Sequence, residues 1–330
     1  MFILASSPMR VSLIGGGTDL PAYQNAGYTG MILSFAIPYR VSVSISERFD
    51  NHWVIQYSRL EKVRDIVEIE HNIIREALVY YGLSDPLEVH VISDISTVGT
   101  GLGGSSALTC ALVKALRKYK GRNSLPKRVL QDAKEIEIDR VGAPIGLQDF
   151  IPAAHGGLNY IVIKNGICEK IDRSYANVFR ELVKSHLLLV SETNNAQMRS
   201  HYVDQNLEGQ LNLDALKQSA DLALKYAMII NKPNLSPKEV IELIQQSHAL
   251  KEENQVNRST EEQRQFLKKL DSCGAAAYRR CGAGNHGFYL VYAKNKMDFK
   301  RRMAGHNILD LRIEYVGAQV EAYRGKIGGT

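Results

Sequence analysis

A glycine-rich segment in the first third of the chain has the composition of a phosphate-binding loop. Glycines allow successive backbone N–H groups to point inward, and the start of a helix adds free donors with partial positive charge. Serines at the helix start could reach a phosphate or a metal ion, although a plain helix cap has the same appearance. We predict that nucleotide phosphates bind to Gly99, Thr100, Gly101, Leu102, Gly103, Gly104, Ser105 and Ser106.

Other nucleotide-binding patterns are excluded by the surrounding sequence. The glycines at positions 99, 101 and 104 match GxGxxG, but a dinucleotide fold requires a strand ending in an acidic residue about 20 positions later. The chain instead continues as an apolar helical run from Ser105 to about Tyr119. It contains no GxxxxGK followed by Ser or Thr, and it lacks the HRD and DFG motifs of protein kinases.

A second glycine-rich turn follows an apolar strand near the N-terminus. Arg10 lies on that strand, and residues 15–19 read GGGTD. An arginine in this place can stabilise charge on a transferring phosphoryl group, and a carboxylate can accept hydrogen bonds from sugar hydroxyls. A β-turn followed by an aspartate helix cap would give the same pattern. Taken alone, this segment does not decide whether Gly17, Thr18 and Asp19 face a substrate or only form the turn.

A third glycine-rich loop lies between two apolar strands near the C-terminus. It contains Gly282, Gly284, Asn285, His286 and Gly287. Taken alone, this loop is typical of a β-hairpin.

Acidic residues occur between the loop at 99–107 and the third loop. Glu135 and Glu137 lie on a helix that begins at Pro126, and Asp149 lies in the segment 146–150. Phosphoryl transfer to a hydroxyl requires one carboxylate near the acceptor and further acidic groups for Mg²⁺. Glu135 is expected to be exposed, as are the two residues at positions 139 and 140.

The periodicity of the apolar residues predicts the elements that must position these groups. Strand-like runs dominate the first hundred residues, and residues 41–46 alternate apolar residues with serine. The second half is mostly helical and is followed by further strands. This order predicts an α+β protein with two lobes, residues 1–180 and 181–330. The predicted helices are 71–81, 105–119, 126–140, 196–206, 213–230, 236–250, 260–272 and 296–303, and the later predicted strands are 158–164, 187–190, 276–281, 288–293 and 311–316.

Composition limits the partners of the chain. The 330 residues carry a net charge of +6, but the basic residues are spread along the sequence and form no tail. This favours an anionic small molecule over nucleic acid or a membrane surface. The four cysteines show no zinc-site spacing, and the N-terminus lacks the pattern of a signal peptide, so we expect a cytoplasmic protein.

In chain order, the GGGTD turn after Arg10, the loop at 99–107 and the loop at 282–287 resemble the motifs of the GHMP kinases, the superfamily that includes galactokinase, homoserine kinase and mevalonate kinase. The resemblance extends from Pro8 to Phe288. Within that superfamily, the GGGTD turn together with residues 144–149 is most similar to D-glycero-D-manno-heptose 7-phosphate kinases. Fucokinase domains share the GGGTD turn.

The resemblance implies a fold and a set of roles. The N-terminal lobe would resemble domain 2 of ribosomal protein S5, and the C-terminal lobe would be ferredoxin-like, with ATP and sugar between them. Asp149 and Arg10 would be catalytic, and Ser105 with Glu137 would hold Mg²⁺. Gly17, Thr18 and Asp19 would face the sugar. The third loop, with Gly284, Asn285 and His286, would close on the substrate.

The sequence departs from the family pattern at positions that concern the acceptor. Asn285 and His286 interrupt a third loop that is usually all glycine after its alanine, and Leu147 and Phe150 replace polar residues around the aspartate. The working hypothesis is transfer of the ATP γ-phosphoryl group to the C1 hydroxyl of heptose 7-phosphate. The alternatives are a kinase of an unphosphorylated sugar such as fucose and a non-catalytic sugar- and ATP-binding regulator. The oligomeric state is left open.

Overall fold

The structure of the protein is a computed structural model. It describes residues 1–95, 99–174, 176–192, 212–253, 260–282 and 287–323. The predicted helix 196–206 and the predicted substrate contacts Gly284, Asn285 and His286 lie outside these residues.

The described part of the chain forms twelve strands and ten α-helices, together with a 3-10 helix at Ile66–Glu68 and a π-helical turn at Glu135–Arg140. The strands are β1 Phe2–Ile14, β2 Gly30–Glu47, β3 Trp53–Gln56, β4 Leu60–Val63, β5 Leu87–Ser93, β6 Leu158–Lys164, β7 Ile167–Ser174, β8 Leu187–Ser191, β9 Ala275–Arg280, β10 Phe288–Ala293, β11 Ile308–Asp310 and β12 Gln319–Tyr323. The helices are α1 Pro21–Asn25, α2 Asn72–Tyr80, α3 Gly104–Tyr119, α4 Pro126–Lys134, α5 Phe150–His155, α6 Asn177–His186, α7 Leu213–Ile229, α8 Pro237–Glu253, α9 Glu261–Ser272 and α10 Lys296–Arg302. The predicted α+β class is confirmed.

The larger sheet is built around the two long N-terminal strands. Its strand order is β12-β1-β2-β5-β3-β4, and β6 pairs with both β2 and β7. The predicted alternation in β2 is confirmed, since Val41, Val43 and Ile45 are buried while the serines between them are partly exposed. One face of this strand therefore packs on the core and the other faces solvent.

The smaller sheet is antiparallel and lies in the C-terminal half, with the strand order β11-β8-β10-β9. It has its own apolar cluster, in which Phe266 and Leu270 of α9 and Phe299 of α10 contact residues of β8 and β10. The chain then returns to the larger sheet, because β12 pairs with β1 from Ser6↔Gln319 to Phe2↔Tyr323. The proposed boundary near residue 180 therefore separates most of the two sheets but leaves β12 with the first.

Helix α3 connects the glycine-rich loop to the core. Its residues from Ala107 to Val113 are all buried, and the helix packs on β1 and β2 as well as on α2, α4 and α5. A helix buried on nearly every side is apolar all round, as this sequence is. The start of α3 is thereby held in a fixed position beside β1.

Several predicted elements differ from the observed ones. The helix predicted for 126–140 is α-helical only to Lys134 and continues as a π-helical turn from Glu135 to Arg140. The strand predicted for 311–316 is wrong: the strand there is Ile308–Asp310, and residues 311–317 run as an irregular segment. The segment is held by hydrogen bonds instead of by a sheet, since Glu314 N donates to Ala36 O (2.9 Å) and Gly157 N donates to Glu314 O (2.6 Å).

Five of these elements were not predicted from the sequence, namely α1, β4, β7, α6 and β12. Strand β1 begins seven residues before the strand predicted for 9–14, and most of the other elements begin and end within a few residues of their predicted positions. No helix among the described residues combines the length and the apolar character needed to cross a membrane.

Candidate active site

Arg10 connects the first strand to the glycine-rich loop. Its backbone N–H donates to Leu102 O at 2.9 Å, and its Nη1 donates to Gly101 O at 2.6 Å. The side chain is 6% exposed. Because the loop carbonyls accept these bonds, the loop is fixed against β1.

Arg10 also forms an ion pair with Asp149, which immediately precedes α5. The Nε and Nη2 atoms of Arg10 lie 2.9 Å and 2.6 Å from Asp149 Oδ1. Both bonds end on the same oxygen, and no hydrogen bond within the described ranges involves Oδ2. The arginine therefore orients the carboxylate and leaves one oxygen available to accept a proton.

The glycine-rich loop has a backbone that glycine alone adopts easily. Gly99, Gly101 and Gly103 have φ angles of 72°, 73° and 72°, in the left-handed region. Helix α3 begins at Gly104 with Gly103 at the N-cap, and no side chain caps it. The first N–H groups of the helix are therefore free to bind an anion, whereas Ser105 and Ser106 lie within its first turn and do not cap it.

The burial of Leu102 and Thr100 limits how these two loop residues can contact a ligand. Leu102 is fully buried in the core, so it can contribute only backbone atoms to a ligand. The hydroxyl of Thr100 is buried and has no hydrogen-bond partner in the described residues. Its role toward the phosphates stays a prediction, as do those of the other loop residues.

Glu137 lies on the π-helical turn and is 1% exposed. Its Oε2 accepts a hydrogen bond from Thr109 Oγ1 at 2.5 Å. Burial raises the pKa of Glu137 to about 7, although the hydroxyls of Thr109, Ser105 and Ser106 act in the opposite direction. Glu135 is 45% exposed, as expected for a residue on the solvent face.

The surroundings of Glu137 fit a divalent cation. Its carboxyl is buried with no cationic partner in the described part of the chain, and the hydroxyls of Ser105 and Ser106 lie close enough to act on its pKa. Residues with known placement include no group of three His, Cys, Asp or Glu side chains that could hold a metal. Mg²⁺ is compatible with this arrangement because it usually takes one or two carboxylates together with phosphate oxygens and water.

Thr18 and Asp19 hold the GGGTD turn together. Thr18 Oγ1 donates to Gly15 O at 2.7 Å and accepts from Met31 N at 3.2 Å, and the residue is fully buried. Asp19 is 5% exposed and accepts bonds from the backbone N–H and from Nε2 of Gln148 at 3.0 Å and 3.1 Å. The geometry gives no support to the prediction that Thr18 contacts the sugar.

The environment of Asp19 is an unusual one for a carboxylate. Burial raises the pKa of Asp19 to about 6, and the negative charge of Asp149 acts in the same direction. The backbone N–H of Gln148 opposes this rise. A side chain at Gly146 would overlap the carboxyl group of Asp19, so glycine is required at that position.

The third loop approaches the first at its described ends. Phe288 N donates to Thr100 O at 3.3 Å, and Gly101 packs against the backbone of Cys281 and Gly282. Each of these two glycines would clash with the other loop if it carried a side chain. The predicted contact between the ends of the two loops is thus present, while residues 283–286 lie outside the described residues.

Sequence analysis missed a group of cations behind this junction. Arg279 is 6% exposed, and its Nη1 donates to Ser12 O, while Lys251 Nζ donates to Arg280 O (2.9 Å) and to Gly282 O. Within the described ranges, neither Arg279 nor Lys251 is paired with a carboxylate. Burial, together with the charge of Arg10, lowers the pKa of Arg279 to about 10. The only sequence signal was the adjacent pair at 279–280.

The sequence is similar to those of small-molecule kinases. Residues 52–157 match the family described as GHMP kinases N terminal domain. A mevalonate kinase from Methanothermobacter thermautotrophicus is 26% identical over 321 residues, which cover 94% of this chain and 97% of that protein. A D-glycero-alpha-D-manno-heptose 7-phosphate kinase from Campylobacter jejuni is 29% identical, but the match covers 49% of this chain and 51% of that kinase.

The fold is also that of a known kinase structure. A D-glycero-D-manno-heptose 1-phosphate kinase from Bacteriodes thetaiotaomicron matches with a TM-score of 0.78 over 98% of this chain and 100% of that chain, at 17% identity. Residues 52–157 thus carry the GHMP kinase N-terminal domain, and the curated relatives are kinases, so the predicted resemblance and the predicted kinase class are confirmed. The likeness to these kinases implies ATP as the donor and a hydroxyl group as the acceptor.

Proposed function

We propose that this protein transfers the γ-phosphoryl group of ATP to a hydroxyl of a phosphorylated sugar, specifically the C1 hydroxyl of D-glycero-D-manno-heptose 7-phosphate. The observation that carries the transfer chemistry is the Arg10–Asp149 pair, placed where Arg10 also bonds to the glycine-rich loop. The acceptor assignment draws support from the heptose 7-phosphate kinase that matches about half of this chain.

The roles of the residues follow from their chemistry. Asp149 Oδ2 accepts the proton of the attacking hydroxyl, whose oxygen forms a bond to the γ-phosphorus while the bond to the β-phosphate oxygen breaks and ADP leaves. Arg10 keeps the carboxylate oriented and lies close enough to stabilise the charge on the transferring group. The free N–H groups at the start of α3 bind the phosphates of ATP.

A divalent cation fits into this scheme as a proposed component. Glu137 and Ser105, with Ser106 beside them, would hold Mg²⁺, which neutralises phosphate charge when bound. Glu137 makes no described hydrogen bond to the Arg10–Asp149 pair, although the negative charge of Asp149 contributes to the raised pKa of Glu137.

The unpaired cations favour an acceptor that is itself anionic. Arg279 and Lys251 lie within electrostatic reach of Arg10, and the mutual repulsion of these groups lowers the pKa of Lys251 well below its ordinary value, after burial as the first cause. An anion bound nearby would relieve that repulsion. A sugar phosphate supplies such an anion in addition to ATP, whereas a neutral sugar such as fucose does not.

A mevalonate kinase activity is the second candidate. It is favoured by one observation, the match to a mevalonate kinase over nearly the full length of both proteins. Mevalonate is also anionic, so the cations alone do not separate the two candidates.

An acceptor panel tests the proposal. ADP release is measured with ATP and Mg²⁺ against heptose 7-phosphate, the unphosphorylated heptose, fucose, galactose and mevalonate, and the product is identified by ³¹P NMR. The expected result is the highest kcat/KM for heptose 7-phosphate, with a new anomeric phosphate signal. Preference for mevalonate would establish the second candidate, and no turnover with any of them would overturn the proposal.

A further inference from the structure

A buried threonine joins the two residues proposed to hold the cation. Thr109 lies one helical turn after Ser105 on α3 and is fully buried. Its Oγ1 lies 3.0 Å from Ser105 O and 2.5 Å from Glu137 Oε2. Because the side chain has no exposed surface, it cannot contact a bound ligand. Its influence on the site therefore passes through the residues it contacts.

The hydroxyl of Thr109 has one proton and two acceptors within reach. A threonine hydroxyl in a helix often donates to the carbonyl four residues earlier. That carbonyl, Ser105 O, is also the regular acceptor of the backbone N–H of Thr109 within α3. A bond from a hydroxyl to an ionised carboxylate is stronger and shorter, typically about 2.5–2.7 Å. The distance of 2.5 Å to Glu137 Oε2 falls in that range, so the ionised carboxylate receives the proton of this bond.

The position of this hydroxyl is fixed by α3. A β-branched side chain has few allowed χ1 rotamers in a helix, and close packing restricts a fully buried one further. Side chains four residues apart lie on the same face of a helix, so Ser105 and Thr109 share one face of α3. Thr109 therefore sets the place of the Glu137 carboxylate relative to Ser105.

Glu137 carries its charge without an ion pair. No Lys or Arg pairs with it among the residues with known placement, and the negative charge of Asp149 disfavours its ionised form. A glutamate side chain has three rotatable bonds, and fixing them costs conformational entropy. A hydrogen bond that orients a metal ligand in advance reduces this cost, and its loss typically lowers metal affinity by about 10- to 100-fold.

We propose that Thr109 is the positioning residue that orients Glu137 toward the divalent cation bound with the nucleotide. The inference rests on the proposed function, since it takes the cation proposed at Glu137 and Ser105 as its starting point. It concerns neither the choice of acceptor nor the proton transfer at Asp149. Thr109 thus determines how tightly the chain holds the metal, and Asp149 determines how fast the phosphoryl group is transferred.

Two substitutions at position 109 separate the hydroxyl from the space that the side chain fills. Thr109→Val replaces the hydroxyl with a methyl group at nearly constant volume, whereas Thr109→Ser keeps the hydroxyl and removes the methyl group. Thr260→Val is the matched control, because Thr260 Oγ1 accepts a bond from Gln263 N at the start of α9, outside the candidate site. Losing that helix cap lowers stability without touching Glu137, so this variant reports what a loss of stability alone does.

The readout is the affinity for ADP, measured by calorimetry with Mg²⁺ and with EDTA. The ratio of the two dissociation constants gives the contribution of Mg²⁺ to nucleotide binding. In Thr109→Val this contribution should fall about tenfold relative to wild type, while the affinity in EDTA stays near wild type. Thr109→Ser and Thr260→Val should keep the wild-type contribution. In turnover assays, Thr109→Val should need about tenfold more Mg²⁺ for its half-maximal rate, with kcat near wild type at saturating Mg²⁺.

The outcomes separate this inference from the proposed function. A wild-type contribution of Mg²⁺ in Thr109→Val would overturn the inference and leave the proposed function standing, because no acceptor enters the measurement. Failure of every acceptor in the panel would overturn the proposed function and leave the Mg²⁺ result standing. In a Glu137→Gln background, Thr109→Val should cause no further loss, and a further tenfold loss would show that Thr109 does not act through Glu137. If Thr109→Val melts too low for calorimetry, Thr109→Cys carries the test, because a thiol is a weak donor of similar size.

Discussion

The two sides of the candidate site are built differently. On the phosphate side, the start of α3 offers free backbone N–H groups, and Glu137 is buried without a cationic partner among the described residues. On the acceptor side, the charged groups are already bonded to protein groups, Arg10 to Asp149 and Asp19 to Gln148. One side thus leaves its polar groups for ligands, and the other uses internal bonds to orient a few atoms.

This difference indicates which amino-acid substitutions each side should tolerate. A backbone anion site depends on glycines that allow φ near +70° and close approach, and these are needed for any phosphate ligand. An acceptor site depends on side-chain contacts that can be exchanged without moving the strand. We therefore expect substitutions on the phosphate side to affect ATP binding and those on the acceptor side to affect turnover or selectivity.

The largest effect is expected at Asp149. Asp149→Asn keeps the bond from Arg10 but removes the proton acceptor, so kcat should fall about a thousandfold. ATP affinity, measured by calorimetry, should be little changed, because no described contact joins Asp149 to the glycine-rich loop. Asp139→Asn, an exposed position, is the matched control. A kcat within tenfold of wild type would contradict the role of Asp149 as the base.

Asp19 should make stability depend on pH. Its pKa is raised by burial from an ordinary value of 3.8 to about 6. Between these values the folded state holds a proton that the unfolded state has lost, so the free energy of unfolding falls as pH rises, by about 3 kcal/mol at most. This stability is fully present below pH 4 and lost above pH 6.

Urea unfolding at several pH values checks this contribution. Asp19→Asn should lose that dependence, so it gains stability relative to wild type between pH 4 and pH 8. The control Asp221→Asn, exposed on α7, should follow wild type. Parallel curves for Asp19→Asn and wild type would show that the carboxyl does not titrate as described.

Much of the site could be predicted because its signals are local. The glycines of residues 99–104 are required by the backbone of that same segment, and Arg10 and Asp149 are each recognisable within a motif. The fold class followed from alternation and helical spacing within single elements. The π-helical turn at 135–140 could not be predicted in this way, since its six residues continue the pattern of α4.

The remainder depends on contacts between distant residues. The hydrogen bond between Gln148 and Asp19, which lie 129 positions apart in the chain, becomes apparent only in the folded structure. The pairing of β12 with β1 joins the two ends of the described chain, and no local pattern indicates it. Asp19 was predicted to contact the sugar because an aspartate in a loop has that capacity, but its orientation is a tertiary property.

A single added methyl group, in Gly101→Ala, should weaken ATP binding and leave the acceptor side unaffected. Gly101 has a φ of 73°, and a side chain there would overlap Cys281 O. Gly121 has a φ of 64° with open space around it, so Gly121→Ala controls for backbone strain without a clash. Gly121→Ala should lose about 1 kcal/mol of stability from its φ alone, and Gly101→Ala should lose more because of the clash. Only Gly101→Ala should raise the KM for ATP, by about tenfold if one N–H contact is lost. Equal KM values for ATP in the two variants would show that the contact between Gly101 and residues 281–282 does not contribute to ATP binding.

The smallest effect is expected at Glu137, and it concerns the metal proposed there. At pH 8 the carboxyl is ionised in the folded state, because its pKa is raised only to about 7, and its buried charge has no cation beside it among the described residues. Glu137→Gln is neutral and can still accept from Thr109, so the protein without ligands should melt on the order of 2 °C higher than wild type. Mg²⁺ added with ADP should raise the melting temperature of wild type above that with ADP alone, and this increment should vanish in Glu137→Gln. Glu135→Gln, on the exposed side of the same turn, should keep the increment. A full Mg²⁺-dependent increment in the melting temperature of Glu137→Gln would show that the cation binds elsewhere. The contrast between an open phosphate side and an internally bonded acceptor side would then no longer hold.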